Sequence, residues 1–242
     1  VLAWLVRAPT PWRRAVWLGW AFATAWLAAT FWWLFISMHT YGGLAAPLAS
    51  AAVLGLAAFL GTYYAVALGL FARLAPTHRA LAAIVFAALW LLAELARGTL
   101  WTGFPWGAGG YAHVQGPLSA LARTVGVYGV GFVAAVLAML LAQARTRDLR
   151  SLRAWALVAG GALVLVGAGL QRQCAIELCH SPARPQPAPI SLALLQGNIP
   201  QNEKFQPGSG VPLALQWYAD ALRDAKASLV VAPETAIPLL PQ

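Results

Sequence analysis

The feature that most constrains this chain is an unbroken stretch, from residue 15 to residue 72, without Asp, Glu, Lys or Arg. A helix that crosses a bilayer needs about 20 apolar residues, so the stretch is long enough for two such helices. Gly42, Gly43 and Pro47 interrupt it near its middle, and glycine and proline are typical of turns. The stretch therefore predicts two membrane helices joined by a short turn.

The rest of the first 172 residues continues this membrane character. Hydrophobic residues make up 60% of the 242 residues and charged residues only 10%, whereas soluble domains carry about 25% charged residues. We predict an α-helical polytopic membrane bundle over residues 1–172. Its five predicted spans cover about residues 16–38, 48–71, 80–96, 124–144 and 154–171. The aromatic residues crowded between positions 24 and 38 fit either interface anchoring or the lining of a lipid-entry groove.

Arginine placement predicts the orientation of these spans, because short loops rich in Arg stay in the cytoplasm. One set of predicted loops carries nine Arg and the alternate set carries three. The N-terminal end is therefore predicted to be cytoplasmic, and residues after about 172 to be periplasmic. The net charge of +9 comes from these loop ends, so nucleic acid is not an expected partner.

Residues 97–123, between the third and fourth predicted spans, form a segment that we call the aromatic arm. It is uncharged from residue 98 to residue 122 and contains Pro105, Pro117 and six glycines, so it is not expected to be a spanning helix. Trp101, Phe104 and Trp106 suit the membrane interface, where aromatic rings settle. The arm is predicted to be an anchoring loop, or a lid or platform for a lipid substrate.

Two charged residues end the third predicted span. Glu94 and Arg97 are three positions apart, which places them on one face of a helix. The first interpretation is an ion pair at the membrane interface, and a functional role is the second.

The cysteines and histidines do not predict a metal site. Cys174 and Cys179 follow the last predicted span and could form a disulfide in an oxidising compartment, or be incidental. The four histidines are scattered over loops, and no ligand spacing joins them to the cysteines. No metal and no cofactor are expected.

A change in composition marks a second domain. Four prolines fall between residues 181 and 190, which predicts an extended linker over residues 173–189. Residues 190–242 then show a strand pattern, a helix over about residues 212–227 and an apolar strand, LVVAPE. This order predicts the opening of an α/β domain.

Polar residues follow both predicted strands. Asn198 and Glu234 fall at the carboxyl ends of the strands, where α/β domains bind their ligands. Glu234 has two interpretations: a solvated loop residue or helix cap, or a partly buried general base between Pro233 and the apolar segment that follows. The pattern alone leaves both open.

Three segments, in this order and after spans of this kind, carry a resemblance to a known family: GTLWTGFPWGAGGYAHVQGPLSALARTVGVYGV, LLQGNIPQNEKF and LVVAPETAIP. They resemble the apolipoprotein N-acyltransferases of the bacterial inner membrane, over essentially the whole chain. The resemblance implies eight spans, with a nitrilase-like αββα periplasmic domain between the seventh and the eighth. The five spans would be the third to the seventh, so the chain is expected to lack two helices before Val1 and most of the catalytic domain after Gln242.

The resemblance also implies a reaction. An acyl chain moves from a phospholipid to the amino group of the diacylglyceryl cysteine that begins a lipoprotein, through a thioester on an enzyme cysteine. Of the catalytic Glu, Lys and Cys, only the Glu maps here, onto Glu234 as general base. The Lys and the Cys are expected beyond Gln242, so this chain is expected to be inactive by itself, and Cys174 and Cys179 match neither.

Substrate contacts are expected at residues of the aromatic arm and of the second domain, in a monomer that lies in the bilayer. These residues are Trp101, Phe104, Trp106, Asn198 and Phe205. Phe205 stands where many members have Trp, which keeps an aromatic ring but loses a hydrogen-bond donor. Two other functions stay open: a membrane-tethered amidase with water as acceptor, and a transporter or lipid-binding protein with a regulatory outer domain.

Overall fold

The computed structural model describes residues 1–6, 10–74, 76–144, 161, 190–200, 202–206, 208–234 and 236. The chain divides into two units, Val1–Cys179 and His180–Gln242. The predicted fifth span, apart from residue 161, the predicted linker and both cysteines lie outside the described residues, and they stay predictions.

The described part of the first unit is helical. Its α-helices are α1 (Leu2–Leu5), α2 (Trp12–Thr30), α3 (Trp32–Ile36), α4 (Ala46–Leu74), α5 (Arg79–Thr99) and α6 (Ala122–Gln143). A π-helical turn, Ser37–Tyr41, extends α3, and two 3-10 helices, Gly109–His113 and Pro117–Leu121, precede α6. The predicted spans at about residues 48–71, 80–96 and 124–144 fall on α4, α5 and α6.

Three helical stretches of the described residues are long and apolar enough to cross a membrane. They are Ala46–Leu74, Arg79–Thr99 and Pro117–Gln143. The bent pair of Trp12–Thr30 and Trp32–Tyr41 makes a fourth if its two parts form one span. The chain is therefore a helical, multi-pass membrane protein, as the sequence predicts.

The first predicted span, residues 16–38, is not one straight helix. The chain bends by 53° where Trp12–Thr30 meets Trp32–Tyr41. Phe31 leaves the helical conformation at this point, with φ −99° and ψ 15°. Its ring is fully buried and packs edge-on against Phe104, with ring centroids 5.0 Å apart. The prediction of a continuous helix was wrong because hydropathy does not record a contact between residues this far apart in the chain.

Helices α2 and α4 pack closely in the first unit because small residues face the partner helix. A Cβ atom at Gly19 would lie 2.9 Å from the carbonyl oxygen of Tyr64 and 3.1 Å from the Cβ of Leu68. Close approach of this kind is what glycine permits between membrane helices. Next to Gly19, the indole of Trp20 on α2 donates a hydrogen bond to the Ala58 carbonyl on α4, at 3.0 Å.

Helices α4, α5 and α6 pack together through a second set of apolar side chains. Phe71 of α4 meets Phe86 of α5, with ring centroids 5.5 Å apart, and both belong to a buried cluster with Met139 of α6. At one end of the α5–α6 pair, the Gln143 amide donates to the Arg79 carbonyl, at 3.3 Å. The other end of α6 is broken at Gly126, whose φ is 65°.

The second unit contains a strand, a helix and a strand, in the order that the sequence predicts. Strand β1 (Leu192–Leu194) pairs in parallel with β2 (Leu229–Val231), so that Leu194 lies opposite Val231. Helix α7 (Gly210–Asp224) connects them. Its Tyr218 is buried, and the Tyr218 hydroxyl accepts a hydrogen bond from the Gly197 amide, at 3.1 Å.

We expect Gly19→Ala to destabilise the helix bundle. The added methyl group meets the Tyr64 carbonyl, and overpacking of this kind costs about 1–3 kcal/mol. The midpoint of thermal unfolding in detergent measures the effect. Gly55→Ala on α4 is the matched control, because a Cβ there has nothing within 4 Å. Equal midpoints for the two variants would contradict the close packing of α2 and α4.

Candidate functional site

The aromatic arm begins with a tight turn that reverses the chain at the end of α5. Trp101, Thr102 and Gly103 are consecutive residues with positive φ, at 54°, 73° and 78°. Positive φ is unfavourable for residues other than glycine, and it persists only where the surroundings fix it. The Gly103 amide donates to the Leu100 carbonyl and the Phe104 amide to the Arg97 carbonyl, at 3.0 and 2.8 Å. We call residues 100–109 the Trp101 loop.

Two charged side chains of α5 hold the Trp101 loop. Nη1 of Arg97 donates to the carbonyl oxygens of Phe104 and Trp106, both at 2.7 Å. Oε1 of Glu94 accepts a hydrogen bond from the Gly109 amide, also at 2.7 Å. Each side chain is only 1% exposed. The Glu94 and Arg97 side chains thus tie three backbone groups of the loop to the last turns of α5.

The structure gives Glu94 and Arg97 more than the predicted ion pair. Both side chains are buried. Their hydrogen bonds of 2.7 Å go to backbone groups of the loop, while the interaction between the two side chains is electrostatic and not a direct hydrogen bond. The physical reason is that a non-helical loop beside a membrane helix exposes carbonyl and amide groups that need partners. The side chains of Glu94 and Arg97 supply these partners.

The aromatic side chains of the loop differ in their surroundings. Phe104 packs against Phe31, and Trp106 packs edge-on against Trp33, with ring centroids 5.5 Å apart. Phe104 and Trp106 also contact each other, at 5.6 Å. Trp101 projects outward and is 82% exposed, while Trp106 is 54% exposed. The loop therefore presents two exposed indoles on a base fixed by Phe104.

An apolar groove of about 390 Å³ runs between α4 and α5 beside Trp101. Phe59, Tyr63 and Val66 of α4 line one side, and Leu92 of α5 lines the other. A second, larger groove of about 580 Å³ lies between α2, α5 and α6, with Trp90 and His113 in its lining. Both grooves have the apolar lining that an acyl chain requires.

Glu234 lies in a turn just after β2. The Ala236 amide donates to the Pro233 carbonyl across this turn, at 2.9 Å. Among the described residues, the Glu234 side chain is exposed. Exposure after a strand leaves the carboxylate free to meet a substrate or another side chain.

Asn198 lies beyond β1, at the same edge of the sheet as Glu234. Leu194 and Val231, the last residues of the two parallel strands, are register partners, so the segments that follow them leave the sheet at one edge. Asn198 has φ 49°, and its side-chain oxygen accepts a hydrogen bond from the Gln196 amide group, at 2.8 Å. Phe205 is 55% exposed and lies in a separate turn.

The structure places Trp101, Phe104 and Trp106 in one loop, and the sequence analysis missed the side chains that hold that loop. One sequence feature could have indicated these side chains: two ionisable residues stand directly before a segment rich in glycine and proline. Hydropathy cannot show that Glu94 and Arg97 bind the backbone of that segment. Among the described residues, no group of three or more His, Cys, Asp or Glu side chains could hold a metal ion.

Comparison with known proteins decides the family. Residues 1–140 match the model of the apolipoprotein N-acyltransferase N-terminal domain. The apolipoprotein N-acyltransferase of Verminephrobacter eiseniae is 65% identical over 248 residues, which cover 100% of this chain and 46% of that protein. The enzymes of Ralstonia nicotianae and Azotobacter vinelandii are 46% and 39% identical, over 100% and 99% of this chain.

The chain belongs to the apolipoprotein N-acyltransferase family. The resemblance carried by the three sequence segments is thereby confirmed.

The part of an apolipoprotein N-acyltransferase that this chain represents is well defined. The chain spans about half the length of the curated relatives that it matches, at 46% and 45% of the first two. The matched family domain, residues 1–140, contains Glu94, Arg97 and the whole aromatic arm. The strands and Glu234 lie after this domain. They are still covered by the match to the Verminephrobacter eiseniae protein, which extends over the whole of this chain.

We expect Gly110→Ala to disrupt the aromatic arm. A Cβ atom at Gly110 would lie 1.9 Å from the Val127 carbonyl oxygen, so the arm would have to move away from α6. Limited proteolysis should then cut the variant within residues 97–123 faster than the parent. Gly116→Ala is the control in the same arm, because its Cβ would meet its nearest neighbour, the His113 carbonyl oxygen, at an ordinary 3.7 Å. Identical cleavage of the two variants would contradict the packing.

Proposed function

We propose that this chain carries the membrane part and the general base of an enzyme that N-acylates lipoproteins at the bacterial inner membrane. The acyl donor is a phospholipid, and the acceptor is the amino group of an N-terminal diacylglyceryl cysteine. The observation that carries the proposal is 65% identity over the whole chain to a protein named apolipoprotein N-acyltransferase. The apolar grooves of the membrane unit support a lipid donor.

Glu234 is proposed to move protons in both halves of the reaction. It takes the proton of an enzyme cysteine thiol while the sulfur attacks the ester carbonyl of the phospholipid, and the proton passes to the lysophospholipid oxygen as that group leaves. In the second half, the lipoprotein amine attacks the thioester and gives up a proton through Glu234, which restores the thiol. The position of Glu234 just after β2, at the edge of the sheet where α/β domains bind their ligands, supports this role.

The proposed topology follows from the loop charges. The side of the membrane with three Arg is proposed to be periplasmic, and it holds the aromatic arm and the residues after about 172. Residues 190–242 are proposed to begin a nitrilase-like domain, and the parallel β1–α7–β2 unit supports an α/β fold of that kind. Asn198 and Phe205 are proposed to contact substrate, because Asn198 follows β1 at the sheet edge of Glu234 and Phe205 is exposed.

Glu234→Gln should abolish formation of the thioester. Glutamine cannot accept the thiol proton, and the loss of a general base lowers a rate by about 100-fold or more. The measurement uses the protein expressed from its complete gene and follows transfer of label from a radioactive phospholipid to the enzyme.

Asp220→Asn is the control for this experiment. Asp220 is an exposed carboxylate of the same unit, on α7, and it pairs with Arg223. Its variant should form thioester at the normal rate. Normal thioester formation by Glu234→Gln would remove Glu234 from the role of base.

Trp101→Ala and Trp106→Ala should each weaken use of the phospholipid donor. An indole that covers acyl chains buries enough apolar surface to change kcat/KM by about tenfold when it is removed. Trp17→Ala is the control, because Trp17 is also exposed, at 67%, but lies on α2 outside the arm. Acylation kinetics with a diacylated lipopeptide measure the effect, and equal kcat/KM in all three variants would contradict a lipid contact in the arm.

The same kinetics separate the transferase from an amidase. A transferase gives N-acylated lipopeptide from phospholipid and diacylated lipopeptide, whereas an amidase releases free fatty acid or ammonia with water as acceptor. Similarity to apolipoprotein N-acyltransferases favours the transferase.

A further inference from the structure

Glu94 and Arg97 are two buried ionisable residues that have no part in the proposed acyl-transfer chemistry. Both are buried in α5, one of the helices able to cross a membrane. Ionisable side chains buried in such a helix are unfavourable and are retained where they bind something specific. Here the bound groups are backbone atoms of the Trp101 loop, at residues 104, 106 and 109.

The three hydrogen bonds bracket the part of the loop that carries the aromatic rings. Arg97 binds the carbonyl groups on both sides of Pro105, which fixes the backbone on which Phe104 and Trp106 stand. Glu94 binds the amide of Gly109, where the following 3-10 helix begins. The strained turn at Trp101 and Thr102 lies between α5 and these anchors. Without the anchors, a backbone with two non-glycine residues at positive φ would relax.

We propose that Glu94 and Arg97 are positioning residues for acyl transfer, which hold the Trp101 loop in the one conformation that presents Trp101 and Trp106 to the acyl chains of the donor. This inference rests on the proposed function. Neither residue touches the reacting atoms, so their effect on the reaction passes through the loop backbone.

The geometry at Arg97 predicts which substitution preserves this role. Both loop carbonyls are bound by one nitrogen, Nη1, while Nε and Nη2 are buried without a hydrogen-bond partner. A lysine ammonium group can therefore replace the arginine, because a single nitrogen with three N–H groups can serve two acceptors. Methionine has a similar length and no donor, so it should release the loop. For Glu94, glutamine keeps the acceptor for the Gly109 amide and leucine does not.

The experiment measures loop order and catalysis separately, in the protein expressed from its complete gene. Hydrogen exchange followed by mass spectrometry reports the amides of residues 98–110, and acylation kinetics report kcat/KM for the phospholipid. Arg97→Met should raise exchange in residues 98–110, leave exchange in α4 unchanged and lower kcat/KM by about tenfold, as expected when hydrogen bonds to a charged group are lost. Arg97→Lys should match the parent in both measurements.

Further variants keep the result specific. Arg123→Met removes an exposed arginine at the other end of the aromatic arm, and it should change neither measurement. Glu94→Leu should resemble Arg97→Met, and Glu94→Gln should retain more of the parent's loop protection than Glu94→Leu does.

Three outcomes would overturn the inference. They are unchanged exchange of residues 98–110 in Arg97→Met, raised exchange there with unchanged kcat/KM, and raised exchange throughout α2 to α6, which would make Arg97 a support of the whole bundle. Failure of the proposed function looks different, because the parent protein itself would then give no acyl transfer while the exchange data still report the loop.

Discussion

The constraint on which the membrane unit depends is that backbone amide and carbonyl groups buried away from water need hydrogen-bond partners within the protein. Helices satisfy this by themselves, but the Trp101 loop does not. Arg97 and Glu94 provide the missing partners at three positions, with distances of 2.7 Å. Because of these bonds, a loop rich in glycine and proline can lie against membrane helices with its aromatic rings in fixed places.

The packing of the helices prepares the surface on which the loop rests. Close approach of α2 and α4 at Gly19 brings Trp26 and Tyr64 together, with ring centroids 5.8 Å apart. Next to them, the bend at Phe31 turns that ring toward Phe104. The Trp101 loop thus contacts the helix bundle at the bend in the first span. Because Phe104 also contacts Trp106, the packing of α2 influences the position of Trp106.

Predictions from sequence succeeded where the deciding property is local. The charge-free stretch predicted membrane helices, and the structure has α4 and the bent pair of α2 and α3 there, because helix formation in a membrane follows from length and apolar composition. The strand, helix and strand after residue 190 were also predictable from periodicity. The bend at Phe31 and the backbone bonds of Glu94 and Arg97 were not, since each depends on residues that a periodic pattern does not connect.

By itself, the sequence determined that this is a multi-pass membrane protein and, through three segments in a fixed order, to which family it belongs. These properties depend on composition, spacing and side-chain identity, so they can be recognised without knowledge of the tertiary structure. Only the tertiary structure decided that two buried charges hold the aromatic arm. Their partners are carbonyl and amide groups, which every residue except proline possesses alike, and only the path of the folded backbone selects those of Phe104, Trp106 and Gly109.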